Sequence, residues 1–159
     1  MSTGQLNNDA GYIASKGALN ISTTGTATPT HGQILSLSDL RIQATGTLDN
    51  TQGLIRSATQ TELTAQEIKN LDTLASKNSI QTGIEGQTIT IVAAKLQNDK
   101  GAIRAAQNVV VLSAGQINNN AGLISAGQTL SLQDLIVRPA SGTPTTSAAP
   151  TLTVINKDG

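Results

Sequence analysis

A chain of 159 residues with no Phe, Trp or Cys, and with Tyr12 as its single aromatic, must build any core from Leu, Ile, Val and Ala. That palette lacks the aromatic anchors of a thick globular core and excludes disulfides and thiolate metal sites. Ten basic residues balance ten acidic ones without forming a stripe, which argues against nucleic acid as a partner, and no apolar run nears the ~18 residues of a membrane span.

The chain opens on Met-Ser-Thr-Gly-Gln, which has neither the charged nor the apolar region of a signal peptide. Its first recognisable element runs from Leu6 to Ile13 and has the form L-x-N-x-x-G-x-I. The same form returns from Leu48 to Ile55, from Leu96 to Ile103 and from Ile117 to Ile124. Four matches at four constrained positions mark an internal repeat. Its period is 21 residues between Leu96 and Ile117, and Leu6 to Leu48 is 42, or two periods.

A second half-motif starts at Gly17-Ala18-Leu19-Asn20-Ile21. The following stretch, Thr23 to Thr30, is Thr-rich and contains Pro29. Proline interrupts strand ladders, so this stretch is expected to loop out. The half-motif is fullest at Gly32-Gln33-Ile34-Leu35-Ser36-Leu37-Ser38-Asp39-Leu40, which is nearly repeated by Gly127-Gln128-Thr129-Leu130-Ser131-Leu132-Gln133-Asp134-Leu135. Looser copies begin at Gly86 and Gln107. In each, apolar residues alternate with polar ones, the signature of a strand with one face buried.

Thr59 to Leu74 can be drawn as a helix with Leu63, Ile68 and Leu71 on one side, but it fits a turn of β-structure better. Leu71 is expected to open a degenerate unit, with Thr73 in the Asn position and an insertion over Leu74 to Ile80. Arg138 to Pro150 holds Pro139, Pro144 and Pro150 and should form a second loop. Val154, Asn156 and Gly159 then repeat the offsets of Leu6, Asn8 and Gly11. The expected organisation is repeats over 1–137, a loop insertion over 138–151 and a truncated repeat over 152–159. A stop inside a repeat reads as a piece of a longer protein, with Met1 an added start.

Units of this length are too short for paired helices and lack the spacing of a Leu-rich repeat. The pattern predicts an all-β fold, a parallel β-solenoid (β-helix) of about six to seven turns with irregular loop insertions, whose equivalent residues stack about 4.7–4.9 Å apart. Leu6, Leu48, Leu96 and Ile117 would form one inward row, and Ile13, Ile55, Ile103 and Ile124 another. Asn8, Asn50, Asn98 and Asn119 sit where the chain must bend, and their amides could bond from turn to turn as a ladder. Gly11, Gly53, Gly101 and Gly122 are expected to take positive φ at the same corners.

L-x-N-x-x-G-x-I paired with G-Q-x-L-x-L, iterated at this period from Gly4 to Leu135, resembles the repeats of filamentous haemagglutinin and of contact-dependent growth inhibition exoproteins. These form the two-partner secretion group. The resemblance implies a right-handed β-helix in a long filament, exported from a Gram-negative cell through a dedicated outer-membrane transporter. It also implies that the full-length protein meets a host-cell or bacterial surface receptor, in adhesion or in toxin delivery.

The residues capable of chemistry are dispersed. His31 is the only histidine and lies in a Thr-rich stretch, where a solvated loop residue is the simpler reading. Asp9 and Asp99 fall at corners several turns apart, Asp39 and Asp134 read as equivalent strand-end residues, and no calcium-binding repeat occurs. Arg56 and Arg104 both follow a motif Ile and share an outward position, a weak polar stripe that glycan or a partner could use. No catalytic, metal or cofactor residue is assigned, and membrane insertion is not expected. The expected function is a non-catalytic structural segment of a secreted surface exoprotein. Its rivals are a polysaccharide-processing β-helix enzyme, which the fold would support, and a cytosolic binding solenoid.

Overall fold

The computed structural model describes residues 1–74, 81–135 and 152–158, and every regular element among them is a β-strand. The strands pair only in parallel, each with its counterpart one turn away. The result is a β-solenoid with three faces.

Face one carries Ser2–Thr3, Leu19–Thr23, Leu40–Ala44, the first part of Gln60–Lys69, the middle of Gly83–Gln97, the middle of Ala102–Asn118, and Thr129–Asp134. Face two carries Leu6–Asn7, Ala27–Thr28, Thr47–Asp49, the ends of the three long strands, and Thr153–Ile155. Face three carries Tyr12–Ser15, Gln33–Ser36, Leu54–Ser57, the starts of Gly83–Gln97 and Ala102–Asn118, and Leu123–Ala126.

Period-2 alternation turns every second side chain inward. On face two the inward row is Leu6, Ala27, Leu48, Ile68, Leu96 and Ile117, and Val154 follows on the same rung but is exposed. On face three it is Ile13, Ile34, Ile55, Ile84, Ile103 and Ile124. Face one adds the row through Ile21, Ile42, Leu63, Ile91 and Val111. These rows meet in one aliphatic core. Each fully buried Leu or Ile contributes about 1.5–3 kcal/mol, and stacking repeats that gain at every turn. Strands this short leave a narrow interior, which suits Leu and Ile and explains the missing aromatics.

The structure corrects three sequence-based expectations. Thr23 to Thr30 does not loop out: Ala27 and Thr28 pair with Leu6 and Asn7, and Pro29 is buried at the position held by Asn in other turns. Residues 27–34 are therefore a disguised copy of the first motif, with Ala for Leu and Pro for Asn. A proline fits because only one backbone bond is lost there.

Leu71 does not open the next unit. Ile68 stacks between Leu48 and Leu96, Asn70 holds the Asn position, and Thr73 takes the place of the glycine. The extra residues enter after Thr73, and residues 75–80 of the expected insertion lie outside the described part of the chain, as do 136–151. Third, the two fullest copies of the second half-motif are not equivalent. Gln33–Ser36 lies on face three, whereas Thr129–Asp134 lies on face one. The true counterpart of Leu19 is Leu40, so Asp39 and Asp134 are not equivalent residues.

Candidate functional site

The corner between faces two and three carries the Asn–Gly positions. Asn50, Asn70, Asn98 and Asn119 are buried there. Asn50 Nδ2 donates to Asn70 Oδ1 at 2.8 Å, Asn70 to Asn98 at 2.7 Å, Asn98 to Asn119 at 2.6 Å and Asn119 to Asn156 at 2.8 Å. Asn50, Asn98 and Asn119 also donate Nδ2 to the carbonyl of their own corner glycine, Gly53, Gly101 and Gly122. A further acceptor comes from the next turn, such as Leu123 O for Asn98. Burial makes these amides costly to leave unpaired, and the ladder satisfies them.

Asn8 is cut off from this ladder. Its Nδ2 reaches the carbonyls of Gly11 and Gln33, but the next position holds Pro29, which has no amide. Asn50 Oδ1 is accordingly buried without a donor among the described residues. The backbone suffers as well, because the N–H that other turns donate here, as from Asn50 to Lys69 O, is absent in proline. Pro29→Asn is therefore expected to raise stability by about 1–2 kcal/mol despite the greater freedom of the unfolded chain. Urea unfolding checks this, and no gain would show that the corner cannot accept the amide.

The corner glycines differ from expectation. Left-handed φ belongs to the residue before each of them: Ala10 (51°), His31 (54°), Gln52 (54°), Lys100 (49°) and Ala121 (49°). Glycine is required for another reason. A Cβ on Gly101 would collide with the carbonyl oxygen of Asn70 one turn below and with Asn98 Oδ1, and Gly32, Gly53 and Gly122 meet equivalent obstacles. At these glycines two turns approach closely, so a hydrogen atom is all that fits, whereas the turn that carries the extra residues accommodates Thr73 in the same place.

The chemistry-bearing residues lie elsewhere. His31 Nδ1 is 3.3 Å from Asp9 Oδ1, with both side chains more than half exposed. Asp49 Oδ1 accepts from Thr51 N at 3.1 Å and braces its own corner, whereas Asp99 Oδ1 accepts from Asn120 N at 3.1 Å and ties its corner to that of the next turn. Among the described residues no three His, Asp or Glu side chains converge as metal ligands would.

One acidic residue is largely shut off from solvent. Glu85 is only 8 % exposed although it points outward on face three. It stacks between Arg56 and Arg104. Its Oε1 lies 3.3 Å from Arg104 Nη1, and its Oε2 lies 3.8 Å from Arg56 Nε. Arg104 Nη1 also donates to Thr82 O at 3.2 Å. Behind Glu85, Thr61 sits in an inward apolar row and spends its hydroxyl on Glu85 O at 2.7 Å and on Ser57 Oγ at 2.8 Å. The shared offset of Arg56 and Arg104 was visible in the sequence. The place of Glu85 between them depends on an insertion that obscures the register.

Comparison with curated proteins and with solved structures gives no match. A family model described as the haemagglutinin repeat matches residues 2–81 and again residues 73–137, which takes in nearly all of the stacked strands. The chain belongs to the haemagglutinin repeat family, the repeat of filamentous haemagglutinins.

Proposed function

We propose that this chain is a non-catalytic spacer, a length of filament in a bacterial surface exoprotein that serves adhesion or contact-dependent toxin delivery. In this reading a dedicated outer-membrane transporter exports the protein, and the receptor is met by the full-length exoprotein. One observation carries the reading: the inward rows run through every turn without a break, so successive turns repeat one cross-section. Such a stack adds about 4.7–4.9 Å of length per turn whatever decorates its outer faces. Membership of the haemagglutinin repeat family supports the surface setting.

A spacer tolerates the loss of a whole period and not of half of one. Ala27 and Leu48 are stacked equivalents, so deleting residues 27–47 joins Thr26 to Leu48 in register. Deleting residues 27–36 would place a face-three corner against a face-two strand. In bacteria producing the exoprotein, the first deletion is expected to keep surface display and adhesion or toxin delivery near the unaltered level. The second is expected to abolish display. Normal display with lost adhesion after the whole-period deletion would mean that the segment itself contacts the receptor. Release of reducing ends from a polysaccharide panel by the purified chain would replace the spacer reading with the enzymatic one.

A further inference from the structure

The corner between faces three and one is a residue short in the turn that carries Glu85. Gln87 alone separates Gly86 from Thr88, whereas two residues separate Ser57 from Gln60 and two separate Ala105 from Asn108. At this short corner lies a recess of about 550 Å³, open to solvent. Its wall is made by Arg56, Gln81, Glu85, Gln87 and Arg104, with small residues between them.

The two arginines are not used alike. Arg104 commits Nη1 to Glu85 and to Thr82 O. Arg56 has a side chain 59 % exposed and meets Glu85 only through Nε at 3.8 Å. Its terminal N–H donors have no partner among the described residues. Two guanidiniums against one carboxylate leave one positive charge on the wall, and the free part of Arg56 is a planar fork of donors.

We propose that this recess binds a sugar residue bearing one carboxylate, held on the Arg56 fork, with its hydroxyls on the side-chain amides of Gln87 and Gln81. The recess is open to solvent, so it suits a single polar sugar ring whose far side stays hydrated better than an apolar ligand that must be enclosed. A fork of guanidinium donors matches a carboxylate with two parallel bonds. An extended peptide is a poorer fit, because the strands through Arg56, Glu85 and Arg104 are paired on both sides and offer no edge for another strand. Glu85 acts as the built-in competitor: it holds the arginines in place while the recess is empty and weakens any carboxylate that enters. The inference is independent of the spacer reading, since a filament segment can carry a sugar site or lack one.

The intact chain is titrated with galacturonic acid, galactose and sulfate, followed by calorimetry and by the NMR signals of the arginine Nε–H and glutamine amide groups. Galacturonic acid is expected to bind at least about tenfold more tightly than galactose and to shift the Arg56 and Gln87 signals. Arg56→Gln should reduce it to the galactose level. Arg56→Lys, which keeps the charge and loses the fork, should remove most of the difference. Glu85→Gln, checked for an unchanged β-sheet circular dichroism spectrum, should bind more tightly than the unaltered chain. Equal binding of the two sugars, or full binding by Arg56→Lys, would overturn the proposal. So would sulfate binding as tightly as galacturonic acid, which would leave an unspecific anion site only.

Discussion

Gly101→Ala is expected to destabilise the solenoid by about 3 kcal/mol or more, while Lys100→Gly, one residue earlier, is expected to stabilise it by up to about 1 kcal/mol. The opposite signs follow from what each position lacks. Gly101 has ordinary φ and no room, since its Cβ would meet the Asn70 carbonyl of the adjacent turn. Backbone cannot give way as a flexible side chain can, so two turns must separate and loosen the ladder between them. Lys100 has room and the wrong φ, at 49°. A left-handed non-glycine residue costs roughly 1–2 kcal/mol, and glycine relieves this at the expense of a looser unfolded chain. Repeat arrays can open unit by unit, so urea unfolding should be paired with hydrogen exchange at the Asn98 and Gly101 amides. Destabilisation by both substitutions would show that the corner is limited by space alone.

Asn98→Ala is expected to cost about 3–5 kcal/mol, because its one amide serves three turns. Nδ2 shares its two hydrogens among Asn119 Oδ1, Leu123 O and the more distant Gly101 O, and Oδ1 accepts from Asn70. Truncation leaves these groups buried beside a small void, at roughly 1–3 kcal/mol for each that finds no new partner. Asn8→Ala should cost far less, since Pro29 already isolates that amide from the ladder. A double-mutant cycle between Asn70 and Asn98 should show coupling of about 1 kcal/mol, as expected for adjacent members of a hydrogen-bonded network. Additive effects would mean that each amide acts on its own corner and the ladder transmits nothing.

The outer faces contribute less to stability. Arg41 reaches Glu62 at 3.3 Å and Lys95 reaches Glu67 at 3.3 Å, each pair linking neighbouring strands on the surface. Exposed pairs of this kind contribute about 0–1 kcal/mol. The solenoid's cohesion therefore rests on the aliphatic rows and the corner amides, which leaves the outer positions free to vary. Glu85 is the exception, because its carboxylate is nearly closed off from water and depends on two arginines from neighbouring turns.

Where successive turns have nearly equal length, the repeat is legible. Leu96 and Ile117, Ile103 and Ile124, and Asn98 and Asn119 stand one period apart in the sequence and stack in the fold. Inward and outward positions alternate there without interruption, so composition reports burial directly. Legibility fails at residue 27, where Ala and Pro replace Leu and Asn yet keep the register, because two neighbouring turns supply the packing that they lack. It fails again between Ile68 and Leu96, which are 28 residues apart and still stacked. A stack selects partners by backbone pairing, and that pairing ignores residues that leave the ladder and return. The same freedom misleads local similarity, as when Gly32 and Gly127 open nearly identical strings on different faces.

The sequence by itself determined the class of fold: an aliphatic period-2 pattern repeated about every 21 residues can bury its apolar side only by stacking copies of itself. It also marked the asparagine and glycine positions, since their chemistry suits only a few backbone settings. Tertiary structure decided the rest. It moved the left-handed angle from each corner glycine to the residue before it, because the glycine is squeezed by a carbonyl of the adjacent turn that no single repeat contains. It also set Glu85 between Arg56 and Arg104 beside a corner one residue short, because stacking joins residues according to their rung and not their distance along the chain.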